Sequence, residues 1–81
     1  MRVVTFFTKE NCPLCDKAKV IVEELSKELN FQIQEFDIYK DDELLEKYQV
    51  MIPVIAINAQ ELGYGIIDKF DLKEKLLQKL D

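Results

Sequence analysis

The sequence predicts an α/β domain of order β-α-β-α-β-β-α, its four-stranded mixed sheet flanked by helices. Three observations carry this. "RVVTFF" near the start is β-branched and aromatic, as buried strands are. Leu14, Ala18, Ile21, Val22, Leu25 and Leu29 then recur at helical spacing. Further on, "PVIAI" is a continuous apolar run bounded by turn-forming residues, as a central strand is.

The elements follow in order. Arg2–Phe7 is the first strand. The first helix begins at the cysteines, with Asn11 placed to cap it and Pro13 suited to a first turn that needs no N–H. Phe31–Ile38 is the second strand, and its alternation slips between Ile33 and Phe36. Asp41–Tyr48 is a short helix whose leading acids match the dipole. Pro53–Ile57 is the third strand, with proline at its first position where no ladder donor is lost. Asn58–Glu61 is a turn in which Asn58 tolerates a left-handed conformation. Leu62–Ile67 is a short fourth strand weakened by Gly63 and Gly65. The last helix starts at Asp71, with Glu74 three residues on as a capping box. Leu72, Leu76, Leu77 and Leu80 form its buried stripe. Strand–helix–strand makes a right-handed parallel crossover, and the tight turn makes the last strand pair antiparallel.

Composition narrows the function. Eighty-one residues make one domain, and no linker-like run or repeat divides it. The net charge of −5 argues against a nucleic-acid backbone as partner, because phosphate binding needs a basic face. No apolar run approaches the roughly 20 residues a bilayer requires. "MRVVTFF" lacks the apolar stretch and cleavage site of a secretory signal. A cytoplasmic, monomeric protein is the expectation, in a compartment where thiols are mostly reduced.

Against that background the chain holds only two cysteines, Cys12 and Cys15, in "CPLC". Four readings compete. A structural staple closing so short a loop is worth only about 2 kcal/mol in the entropic view. A zinc site needs four ligands, and two cysteines with no histidine supply half, unless a second chain or carboxylates help. An iron–sulfur cluster would likewise have to bridge two chains through Cys12 and Cys15 or borrow external thiols. Coincidence is weakened by the placement, because a CxxC opening a helix within a β-α-β unit is the pattern of a redox motif. In the redox reading Cys12, at the helix N-terminus, faces backbone N–H groups that favour its thiolate. Lys9 and Lys17 add to this, while Glu10 and Asp16 oppose it. Cys15, one turn further in, resolves the mixed disulfide, and Pro13 stiffens the turn between them.

With "CPLC" after a predicted strand and "MIP" before a later one, the chain resembles the glutaredoxins of the thioredoxin-fold superfamily. It is most similar to the short glutaredoxin-like proteins of bacteria and archaea, above all over Phe31–Val54, and the resemblance covers nearly the whole chain. It implies a thioredoxin-like fold of glutaredoxin type and a thiol–disulfide oxidoreductase. Cys12 is then the nucleophile and Cys15 the resolving thiol. Pro53 is the cis-proline opposite the active site. Ile52 offers its backbone N–H and C=O to a bound main chain, as strand pairing does. Lys9 approaches a glutathione carboxylate. Pro13 and Leu14 within the motif, and Tyr64 near it, complete the candidate substrate-binding set. The substrate is a disulfide-containing protein or a small thiol, with glutathione or a reductase as electron donor and no bound organic cofactor. The chain also departs from its relatives. Asn11 stands where thioredoxins carry Trp, and the first strand carries Phe6 and Phe7 and no acid. Met51-Ile52-Pro53 replaces Thr-Val-Pro. Gly63-Tyr64-Gly65-Ile66 replaces the glutaredoxin Gly-Gly with its following Asp, and Asp68 is the nearest acid.

Overall fold

The computed structural model describes residues 2–80. The elements are β1 (Val3–Thr8), α1 (Pro13–Leu29), β2 (Gln32–Asp37), α2 (Asp42–Tyr48), β3 (Val54–Ile57), β4 (Gln60–Tyr64) and α3 (Lys69–Lys79), with one 3-10 turn at Ile38–Lys40. The predicted order holds. The sheet runs β2-β1-β3-β4, with β1 parallel to β2 and antiparallel to β3, and β3 antiparallel to β4.

Alternation along β1 divides the core in two. Val4 and Phe6 face α1 and α3, in a cluster with Val22, Leu25, Ile55, Ile57, Leu72 and Leu76. Phe7 faces the other way, toward Tyr48, Ile38 and Val54 with Leu44 and Leu45 of α2. Its ring stacks on Tyr48 at 4.5 Å between centroids. All four residues of β3 are buried, as its unbroken apolar run requires.

The stripe on α1 begins one residue later than expected. Cys15, Ala18, Val22 and Leu25 are buried, while Leu14 is 40% exposed. Spacings of three and four from Cys15 put its sulfur in line with the core. At the other end, Arg2 precedes β1 rather than joining it. Its guanidinium donates to the carbonyls of Leu29 at 2.7 Å and Leu80 at 3.0 Å, satisfying the C-terminal ends of both α1 and α3. Asn30, left-handed at φ 57°, closes α1.

The other differences concern caps and the last strand. Asn11 does not cap α1: it is left-handed at φ 55° and exposed, and Cys12 is the cap. Asp71 does not open α3: Asp68 does, its Oδ1 accepting from Phe70 N at 2.9 Å and Asp71 N at 3.3 Å. An acid directly before the first turn satisfies two orphan donors there, so the helix starts at Lys69. The fourth strand is Gln60–Tyr64 rather than Leu62–Ile67. The turn before it needs only Asn58 and Ala59, both left-handed. Gln60 and Glu61 therefore pair with Ile57 and Ala56, and a bulge at this point re-registers the strand. Leu77 is 49% exposed and lies outside the α3 stripe.

Candidate active site

Sheet register assembles the site. Phe7 pairs with Val54 and with Phe36, and Val54 pairs with Tyr64. One step on, Thr8, Asp37, Pro53 and Gly65 therefore lie at the same end of the sheet. Four segments join the strands at that end: Lys9–Asn11 into α1, the 3-10 turn Ile38–Lys40 after β2, Ile52–Pro53, and the loop from Gly65 to α3.

Cys12 is the N-cap of α1 and Pro13 its first residue. Cys12 Sγ accepts the Cys15 backbone N–H at 3.1 Å, so a sulfur does the work a serine or aspartate oxygen usually does at this position. The two sulfurs lie at disulfide-bonding distance, with Cα atoms 5.2 Å apart. Cys12 is 8% exposed and Cys15 2%, so the first residue of the pair is the more accessible. Pro13 is exposed and leaves no N–H unsatisfied at the first turn. Leu14, between the two cysteines in sequence, is 40% exposed.

The Ile52–Pro53 bond is cis, and Pro53 is buried. The Ile52 N–H donates to Tyr48 O at 3.1 Å and Met51 N–H to the same carbonyl at 2.8 Å. The expectation that Ile52 presents both its N–H and its C=O is corrected in part. The end of α2 already takes the N–H, and among the described residues no backbone donor reaches the C=O. Gly65 N–H ties the neighbouring loop down, donating to Met51 O at 3.1 Å and Pro53 O at 2.9 Å. Gly65 stands at φ 71°, which sequence reading could have found only as a glycine needing such a φ. Tyr64 ends β4 and is 61% exposed.

Lys9 is half-buried on the other side of the motif. It lines a cavity of about 320 Å³ with Glu10, Asn11, Asp37 and Tyr39. Asp37 Oδ1 is held by the Tyr39 N–H at 2.9 Å. This pocket brings one cation together with two carboxylates, a mixed environment that the spacing of Lys9 from Cys12 did not reveal. Tyr48 is packed in the core, whereas Tyr39 and Tyr64 stand in solvent. The Asp68 carboxylate is committed to the α3 cap. Among the described residues, no three Cys, His, Asp or Glu side chains are grouped to hold a metal ion. No helix among them is long and apolar enough to cross a membrane.

The sequence matches the glutaredoxin-like domain family (DUF836) over residues 3–80. A protein of Archaeoglobus fulgidus described as a probable thioredoxin is 30% identical over 83 residues, covering 99% of this chain and 90% of its own. A probable thioredoxin of Methanothermobacter thermautotrophicus is also 30% identical, covering 96% and 95%. Among solved structures, a structural-genomics target from X. campestris superposes with a TM-score of 0.76 at 24% identity, over 93% of this chain and 96% of that one. A mutant thioredoxin of Halobacterium salinarum gives 0.74 at 19% identity, over 98% and 74%. These last two likenesses are of fold. Domain match, relatives and architecture agree: this chain belongs to the glutaredoxin-like domain family and carries a CxxC pair on a thioredoxin-like redox fold.

Proposed function

We propose that the protein is a thiol–disulfide oxidoreductase that reduces disulfides through Cys12 and releases product through Cys15. The observation that carries this reading is the Cys15 N–H donating to Cys12 Sγ at the start of a 17-residue helix. A donor aimed at sulfur, at the positive end of the helix dipole, stabilises negative charge on that sulfur, and the thiolate is the attacking species.

Cys12 thiolate attacks one sulfur of the substrate disulfide, forming a mixed disulfide and expelling the other sulfur as a thiolate. Deprotonated Cys15 attacks Cys12 Sγ, forming the Cys12–Cys15 bond and releasing the second substrate thiol. Two electrons and two protons from an external thiol or reductase restore the dithiol. The sulfurs carry the electrons, so the cycle requires no bound organic cofactor.

Pro53 and the Ile52 carbonyl lie at the end of the sheet from which the motif's loop leaves, and in this reading a substrate strand meets one acceptor there instead of a donor–acceptor pair. Glutathione is the weaker candidate donor, because Gly63-Tyr64-Gly65-Ile66 stands where glutaredoxins carry Gly-Gly with its following Asp, and the nearest acid, Asp68, caps α3 through Oδ1. Disulfide reduction is measured with two donors, glutathione with its reductase and NADPH with a thioredoxin reductase, for wild type and Cys12→Ser. Turnover that Cys12→Ser abolishes is the expected result, favouring the thioredoxin reductase arm. Equal turnover in both proteins refutes the reading. Iron or zinc retained by anaerobically purified protein, with no turnover, favours the chain-bridging metal module instead.

A further inference from the structure

A groove of about 350 Å³ runs between β4 and the start of α3, next to the Gly65 loop that is hydrogen-bonded to Met51 and Pro53. Tyr64 and Ile66 line it and are 61% and 85% exposed. Phe70, on the first turn of α3, is 82% exposed beside it in sequence. Large apolar side chains left this open, flanking a loop that is hydrogen-bonded to the Met51–Pro53 segment, mark a contact surface. The charge around them is predominantly negative. Glu61, Asp68 and Asp71 line the groove against a single lysine, Lys75. That lysine is already committed, to Asp71 at 3.0 Å and the Leu62 carbonyl at 3.0 Å. Lys47 reaches Glu61 only at 3.9 Å.

We infer that this groove docks the protein substrate, seating an aliphatic or aromatic side chain that lysine or arginine flanks in a segment next to the reacting disulfide. The inference rests on the redox reading and names its substrate class: a basic, apolar polypeptide rather than a small thiol. An anionic small disulfide gains nothing from the acidic rim. An apolar side chain gains by displacing water from Tyr64 and Ile66, and its basic neighbours meet a rim that stays net negative, three carboxylates against Lys75.

The test uses three synthetic disulfide peptides, with Leu and Lys, Leu and Glu, or Ser and Lys beside the cysteine, and 2-hydroxyethyl disulfide as the small control. The Leu/Lys peptide is expected to show kcat/KM about tenfold above the other two, a difference of ~1.4 kcal/mol in transition-state binding. Ile66→Ser should erase the Leu advantage and Asp71→Asn reduce the Lys advantage, with the rate on the small control held. Equal kcat/KM for all three peptides overturns the inference. So does an Ile66→Ser loss that is the same for peptide and control, or a dimer of the wild type that Ile66→Ser dissociates. The same peptides with serine in place of cysteine are titrated calorimetrically. Selective binding of the Leu/Lys form supports the groove even if the wild type is inert toward every disulfide, which would sink the redox reading alone.

Discussion

Gly65→Ala tests whether the loop beside Pro53 is set by backbone conformation. Gly65 sits at φ 71° and holds two hydrogen bonds, to Met51 O and Pro53 O. A Cβ added there meets nothing within 4 Å, so crowding does not enter. What remains is the cost of a left-handed conformation for an L-residue with a Cβ, about 1 kcal/mol. For a domain of this length that corresponds to a fall of roughly 4–8 °C in Tm. Asparagine tolerates this region, so Gly65→Asn should recover most of the loss. Ala59 offers the converse case: it lies at φ 66° in the turn between β3 and β4, and Ala59→Gly should gain up to about 1 kcal/mol for the same reason. Thermal and urea denaturation of the three variants measure this, with an unchanged urea m-value showing that stability changes and the surface exposed on unfolding does not. The reasoning is refuted if Gly65→Ala matches wild type and Ala59→Gly gains nothing.

Two further outcomes are expected. Asp68→Ala leaves the Phe70 and Asp71 amides without their acceptor and should cost about 1 kcal/mol by thermal denaturation, with Asp68→Asn close to wild type. The Glu28 carboxyl is held below its ordinary range, first by its hydrogen bond to Lys69 and then by that to Lys73, and Lys69 is raised in turn chiefly by Glu28. The contribution of Glu28 is therefore present above its unfolded range and lost as pH falls through its folded value. That of Lys69 is present below its unfolded value and lost as pH rises through its folded one. Both groups are exposed, so Glu28→Gln should flatten the acid limb of the Tm–pH profile only slightly, and high salt should remove the difference.

The sequence carried the fold because its strong signals were periodic and long. The unbroken "PVIAI" run could be buried only as a central strand, and the spacing from Ala18 to Leu25 could face one side only of a helix. What it carried poorly were positions where two residues compete for one role. Asn11 and Cys12 both precede the first turn, and a sulfur that accepts an N–H is a weak prior against an asparagine. Asp68 and Asp71 both suit a helix start, and the earlier one wins because Ile67 and Leu72 then fall toward the core. Gln60 and Glu61 looked like turn because both are polar, yet an edge strand facing solvent tolerates them. The cis bond at Pro53 came from resemblance, not from composition or spacing. Nothing in the spacing showed that Tyr48 takes the Ile52 N–H, because that contact joins the end of α2 to a loop that only tertiary packing brings to it.

The most direct test of the central claim is mixed-disulfide trapping. Reduced Cys15→Ser and Cys12→Ser proteins are each incubated with a disulfide peptide and read by intact mass. The account predicts one peptide adduct on Cys12 in the Cys15→Ser protein, stable because no resolving thiol follows, and little or none on Cys15 in the Cys12→Ser protein, whose sulfur is buried. Adducts forming equally fast on Cys15 would contradict it.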